Sequence, residues 1–425
     1  VHYRNLPLAA LVLVLPACGG DETATPAPSQ PTTSAPPPTP APSGSYGEGY
    51  DEGTSYPAAA SPSLSAASVP AGATVIHVPV TLDHETPNTV VTRVSIYNGS
   101  GGKAEPETTK AVVFRPGDPL TKTVSFNVSG MSEGNSVQLL QDVNPAGGTG
   151  GGGSVLMTAQ AGASNAPSTG GRAPVAFAPV GQLVYDVTGQ TIKFDDEGGP
   201  DSFSTALSHG RTQPANPETG YYGTIDMGGF ERSGDTLVLK TLRLPQPIDS
   251  NGKSYPYLSS ILSGHNTTAA QFKYGTVEWQ VKMPNRDGTW PALWLLSDRG
   301  WPPEIDVYEG FGYVNGWNFS SYVASDIHGG ANGQKTFSRS GTVRMRDWGL
   351  DPTLDSEFHT FAATITPEWI TLFIDGTETM QYANPFAGAT WYPLTQLTTT
   401  AAAGADYDQG KGTMELRSLK IWRQV

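Results

Sequence analysis

Cysteine is almost missing from this chain: Cys18 stands alone among 425 residues, so no disulfide can close within it. Tryptophan is absent before Trp279, and all nine lie at or after that position. Charged residues make up 15% of the sequence, and 39 acidic against 25 basic side chains leave a formal net charge of −14. With Lys and Arg scattered as well as scarce, no nucleic-acid partner is expected. Long helical periodicity is also missing; apolar runs are strand-sized and broken by Gly, Pro and Asn. No run reaches the roughly 20 apolar residues of a spanning helix. What remains is an all-β protein rich in Gly, Thr and Ser.

The chain divides by composition. Arg4, the apolar run from Leu6 to Leu15, and Pro16-Ala17-Cys18 have the charged, hydrophobic and small-residue regions of a secretory signal. Leu15-Pro16-Ala17-Cys18 resembles a bacterial lipobox, which implies lipidation of Cys18 and a cell-envelope lipoprotein at the outer membrane or cell surface, the alternative being a secreted bacterial protein. Residues 19–60 are Pro, Ser and Thr with few large apolar side chains and read as a disordered tether. Residues 61–158 alternate in short segments, Thr74 to Val80, Val90 to Tyr97, Lys110 to Phe114, Thr121 to Val128 and Ser136 to Leu140, as in a small β-sandwich. Arg115-Pro116-Gly117-Asp118, followed by Pro119 to Val124, loosely resembles Calx-beta or immunoglobulin-like modules. Residues 159–174 read as a linker. The remaining 175–425 are long enough for one large sandwich with a curved, cleft-bearing sheet.

Within that last part, Trp301-Pro302-Pro303-Glu304-Ile305-Asp306-Val307-Tyr308-Glu309 puts three carboxylates into six residues of a strand-prone segment. Period-two geometry puts Glu304 and Asp306 on one face and Glu309 on the other. One bulge at Val307 or Tyr308 restores the phase. Two carboxyls about 5 to 5.5 Å apart on one concave face suit a retaining glycosidase, in which one attacks the anomeric carbon and the other protonates the leaving oxygen. Three acids this close cannot all ionise freely, so one of them is expected to retain a proton near neutral pH.

The run resembles the signature of glycoside hydrolase family 16 in its bulged, laminarinase-like form. Tyr274-Gly275-Thr276-Val277-Glu278, Gly288-Thr289-Trp290-Pro291-Ala292-Leu293-Trp294, Phe358-His359-Thr360-Phe361 and the stretch Trp369 to Gly376 are similar to other ordered elements of that family. The resemblance implies a β-jelly-roll (concanavalin-like) sandwich, with Glu304 as nucleophile, Asp306 as its orienting, proton-sharing neighbour and Glu309 as general acid/base. It also places His328 near the cleft on the next strand. Trp290 and Trp301, next to the acids, are natural platforms for pyranose rings, whereas Trp279, Trp294, Trp369 and Trp422 read as core. A structural calcium is common in the family, but Arg417 stands where an Asp ligand is usual and would repel it. Asp195, Asp196 and Glu197 leave some room for a metal and read more simply as a solvated turn. No metal and no cofactor are therefore called for.

The expected function is a monomeric, retaining endo-glycosidase acting on β-1,3- or mixed β-1,3-1,4-glucan. A bacterial exopolysaccharide substrate, an envelope transglycosylase and a non-catalytic glycan-binding protein are the other readings. The catalytic glutamates, both present, weigh against the last.

Overall fold

The computed structural model describes residues 56–65, 67–98, 109–143, 154–168, 170–284, 288–310, 313–314, 317–318, 322–331, 333–400 and 412–424. Cys18 with its signal-like run, residues 19–55, and the glycines from Gly147 to Gly153 lie outside the described residues. Among the described residues no helix is long and apolar enough to cross a membrane.

Alternation in the N-terminal part becomes strands with one buried edge. In Val75–Leu82, every second side chain (Ile76, Val78, Val80, Leu82) is buried. That strand joins Pro62–Leu64 and Thr121–Asn127 in a three-stranded sheet. A five-stranded sheet runs Ser68–Pro70, Ser154–Gln160, Ser136–Val143, Val90–Asn98, Thr109–Phe114. Both sheets feed one core that includes Ile76, Val94, Phe114, Phe126, Leu139 and Met157, so the unit is a small sandwich. The strands at Pro62–Leu64, Ser68–Pro70 and Ser154–Gln160 escape the sequence pattern. Two are only three residues long, and the third follows directly on a glycine run.

Downstream, 17 strands hydrogen-bond into one nearly closed, jelly-roll-like sheet that folds over on itself. One layer runs Lys253–Ser263, Trp391–Thr399, Thr289–Ser297, Gly300–Glu309, Tyr322–Ala331, Gln334–Arg344. The facing layer runs Thr236–Ser250, Gly412–Arg423, Gly275–Lys282, His359–Ile365, Trp369–Ile374, Thr377–Ala383. Tight hairpins fix the register: Asn251-Gly252 and Asp375-Gly376 each place two successive residues at positive φ, the conformation a two-residue turn demands. Between the layers lie Trp279, Leu293, Leu295, Ile305, Phe361, Leu372 and Leu419. Trp279 spans the gap, donating its indole N–H to Thr395 Oγ1 on the opposite layer at 2.9 Å.

The small sandwich is clamped to the large one. Glu378, fully buried on Thr377–Ala383, accepts a bidentate pair from Arg172 at 2.8 and 2.7 Å, and Arg115 Nε of the small sandwich lies 3.6 Å away. The Arg172 backbone N–H donates in turn to Asp118, which pairs with Lys122 at 2.6 Å. Nearby, Arg93 bonds Asp347 at 2.9 Å and the Thr342 carbonyl at 3.0 Å. Tyr56, at the end of the Pro/Ser/Thr-rich segment, is buried and stacks on Phe337 at 4.5 Å. Its hydroxyl reaches Asn88 and the Ala383 carbonyl.

Candidate active site

Gly300–Glu309 lies antiparallel to Thr289–Ser297 on one side and to Tyr322–Ala331 on the other. Trp294 faces Asp306 but Leu293 faces Tyr308, and on the other side the register passes from Asp306 opposite Asp326 to Glu309 opposite Ala324. Val307 and Tyr308 together face Ser325, whose hydroxyl donates to the Val307 carbonyl at 3.1 Å. Ile305, Val307 and Tyr308 are all buried in the core between the layers. This one extra inward residue brings Glu309 back to the face of Glu304 and Asp306.

Cross-strand pairing sets the rest of the site. His328 stands opposite Glu304 and Asp326 opposite Asp306. The His328 Nε2 lies 3.3 Å from Asp306 Oδ2 and 3.7 Å from Glu304 Oε1, while Nδ1 is 2.9 Å from Ser338 Oγ. One carboxylate oxygen from each of Asp306, Glu309 and Asp326 lies within 4.8 Å of the others, and Glu304, Asp306 and His328 meet the same limit. The Trp290 indole donates to Glu309 Oε1 at 3.1 Å, and the Trp301 indole donates to Glu304. Each expected glutamate thus carries its own indole.

No arginine or lysine pairs directly with these acids among the described residues, and the electrostatics follow from that. Burial, then repulsion from Asp306 and Glu309, pushes Glu304 well above the usual carboxylate range. Asp306 and Asp326 are pushed well up, first by burial and then by neighbouring carboxylates, with Lys335 partly offsetting the rise at Asp306. Burial lowers the pKa of His328, so it sits in the cleft as a neutral imidazole. Each of these three carboxyls therefore binds its proton more tightly than a solvated acid does. The rise at Glu304, Asp306 and Asp326 comes first from burial, a quantity no spacing reveals.

Of the six expected cleft residues, Glu304, Asp306, Glu309, Trp290 and His328 share one face of the layer by register, and Trp301 joins them through Glu304. Asp326 went unassigned in the sequence. It is two residues before His328 and hence on the same face, a signal period-two counting carries. Trp294 is buried, as expected, but outside the main core: it lies with Tyr222, Ile261, Leu296 and Tyr392 in a second apolar cluster on the cleft side of the layer. Arg417 stacks 3.6 Å over the Phe358 ring and pairs with Asp235, and Asp195 accepts from Ser202 and the backbone N–H groups of Glu197 and Gly198.

A buried group of acids in a curved β-layer, with indoles at the two glutamates, belongs to the class of acid–base glycan-processing sites. Residues 231–417 match the model of glycosyl hydrolases family 16. It is similar to an endo-1,3-1,4-beta-glycanase of Rhizobium meliloti, 30% identical over 41% of this chain and 35% of that protein. A beta-glucanase of Rhodothermus marinus is 28% identical over 49% of this chain and 67% of that protein. The chain thus spans about a third of the length of the first and two thirds of the second. Among solved structures, the catalytic domain of an endo-1,3-beta-glucanase (laminarinase) from Thermotoga petrophila overlays 57% of this chain and 98% of its own, at 19% identity and a TM-score of 0.45.

Proposed function

We propose that this protein is a retaining endo-β-glucanase of the laminarinase-like kind, cutting β-1,3- or mixed β-1,3-1,4-linked glucan inside the chain. The observation that carries the reading is the register shift at Val307, which sets Glu304 and Glu309 on one face with Asp306 between them. The reacting form has the cluster's negative charge on Glu304, where the Trp301 indole favours it, and protons on its neighbours. In the first step the Glu304 carboxylate attacks the anomeric carbon while Glu309 gives its proton to the departing glycosidic oxygen, leaving a glycosyl ester on Glu304 and a carboxylate at Glu309. In the second, Glu309 takes a proton from water as its oxygen displaces Glu304. Asp306 shares protons with Glu304, and Trp301 steadies Glu304 by donating to it. The similarity to proteins named glycanase and beta-glucanase supports the substrate class. The test is release of oligosaccharides by the full chain from laminarin, lichenan and purified bacterial exopolysaccharides. No release from any of them would remove the reading.

Cleavage of an exopolysaccharide, and transfer to a second sugar in place of water, use the same two steps and differ only in acceptor and product. Residues 61–158 we read as an immunoglobulin-like brace, and Cys18 as the site of a lipid anchor for an exported, envelope-bound enzyme. Loss of fatty-acid labelling in Cys18→Ser tests the anchor.

A further inference from the structure

The mechanism above uses Glu304, Asp306 and Glu309 and leaves Asp326 without a task. Its position is nonetheless specific. Asp326 faces Asp306 directly across the strand pair, and its carboxylate lies within 4.8 Å of both Asp306 and Glu309. Only 7% of the residue is exposed. Glu304, Asp306 and Glu309 face it from Gly300–Glu309, His328 shares its strand, and Ser340 stands opposite on Gln334–Arg344, where Lys335 brings the nearby cation. From the other layer Tyr382 approaches from behind, its hydroxyl bonded to the Ser325 carbonyl.

We propose that Asp326 is a positioning residue for Glu309: held as the neutral acid, it donates a hydrogen bond to the Glu309 carboxylate and keeps a second proton in the cleft after Glu309 has given up its own. Two carboxyls in contact, with no cation between them, release their protons in two well-separated steps, because the first anion formed is stabilised by the remaining O–H and the second is opposed by the first. Burial and the hydrogen bond to Glu309 both favour the protonated form of Asp326. The consequence falls on the second half of the reaction. Once the glycosyl ester exists, Glu309 is anionic and must point one oxygen at the incoming water, and a donor fixed on the neighbouring strand holds it there. No new bond to substrate is required of Asp326.

The inference rests on the glucanase reading for its activity arm, so its first test needs no substrate. Carbon-detected NMR of the full-length protein with ¹³C-labelled Asp and Glu follows the side-chain carboxyls through pH 3 to 9. Asp326 should keep the neutral-acid shift at pH 7. An Asp326 that ionises below pH 5, like an ordinary aspartate, overturns the proposal whatever the enzyme cuts. The second test compares kcat/KM against pH on laminarin for wild type, Asp326→Asn and Asp326→Ala. The amide keeps a donor toward Glu309 but a weaker one than the carboxylic O–H, so Asp326→Asn should stay within about threefold of wild type at its optimum while its basic limb moves up by about one pH unit, the Glu309 anion being less stabilised. Asp326→Ala should lose at least about tenfold in kcat as Glu309 loses its donor. Wild-type profiles in both variants would overturn the proposal. Inactivity of the wild type itself strikes the glucanase reading and leaves the NMR result to decide the role of Asp326.

Discussion

Two groups of buried or largely buried carboxyls occupy this molecule in opposite company. Glu378 and Asp347, at the contact between the two sandwiches, each meet arginine: Arg172 and Arg115 at the first, Arg93 and Arg344 at the second. Glu304, Asp306 and Asp326, in the cleft, meet mainly other acids, a neutral imidazole and indole N–H groups. A buried anion with a matched cation fixes geometry, and removing one partner is costly. A buried acid without one binds its proton more tightly, so few of the clustered carboxyls ionise together, which is what acid–base chemistry needs. The same residue types therefore serve cohesion in one place and proton transfer in the other, and the neighbouring cation decides which.

Substituting both kinds of acid separates them. Glu304→Gln and Glu309→Gln should each lower glucan hydrolysis by at least about 10³-fold. Neither should lose thermal stability at pH 7, since each removes a repulsive member of the cluster. A variant that is inactive because it is unfolded, as circular dichroism would show, breaks the contrast. Arg172→Ala should do the reverse, costing about 3 kcal/mol in urea denaturation by leaving Glu378 buried with the more distant Arg115 as its cation and the Val175 backbone N–H as its close donor, while activity at 25 °C is kept. A cost below about 1 kcal/mol would mean the clamp is not cohesive.

Glu218 sharpens the comparison as an intermediate case. It is fully buried with neutral donors, Gln213 at 2.8 Å and Tyr222 at 2.9 Å, and burial raises its pKa from the ordinary 4.5 to about 7. The folded state then holds a proton that the unfolded chain has lost, so this group's contribution to stability is full below pH 4.5 and is lost as pH rises to about 7. The loss amounts to about 3 kcal/mol. Glu218→Gln should flatten the stability profile across that window, and an unchanged slope would show that Glu218 ionises normally.

The smallest effects are expected at the indoles. Trp290→Ala should weaken glucan binding by about 1 to 3 kcal/mol. Trp290→Phe keeps a ring but removes the donor to Glu309, so it should spare KM and lower kcat. Equal losses in both variants would make Trp290 a stacking surface alone.

Much of the cleft was legible in the sequence because it is local. Glu304, Asp306 and Glu309 lie within six residues, and period-two counting plus one bulge brings them to one face. The alternating strands from Val75 to Val143 were readable for the same reason. Other features depend on contacts that spacing does not encode. Arg172 and Glu378 are 206 residues apart, and Tyr56 sits in a segment whose composition reads as tether, yet its ring is buried against Phe337. Asp326 falls between these cases: its face was countable from His328, but its pairing with Asp306 required the strand register.

The central claim, that the uncompensated acids divide the work with Glu304 as nucleophile, is tested most directly by azide rescue. Full-length Glu304→Ala is incubated with an aryl β-glucan oligosaccharide bearing a good leaving group, with and without sodium azide, and the product is read by proton NMR. The account predicts azide-dependent turnover yielding the α-glycosyl azide, because azide fills the space left by the carboxylate and attacks from its side. A β-glycosyl azide, which would place the nucleophile at another carboxyl, or full activity of Glu304→Ala without azide, would contradict it.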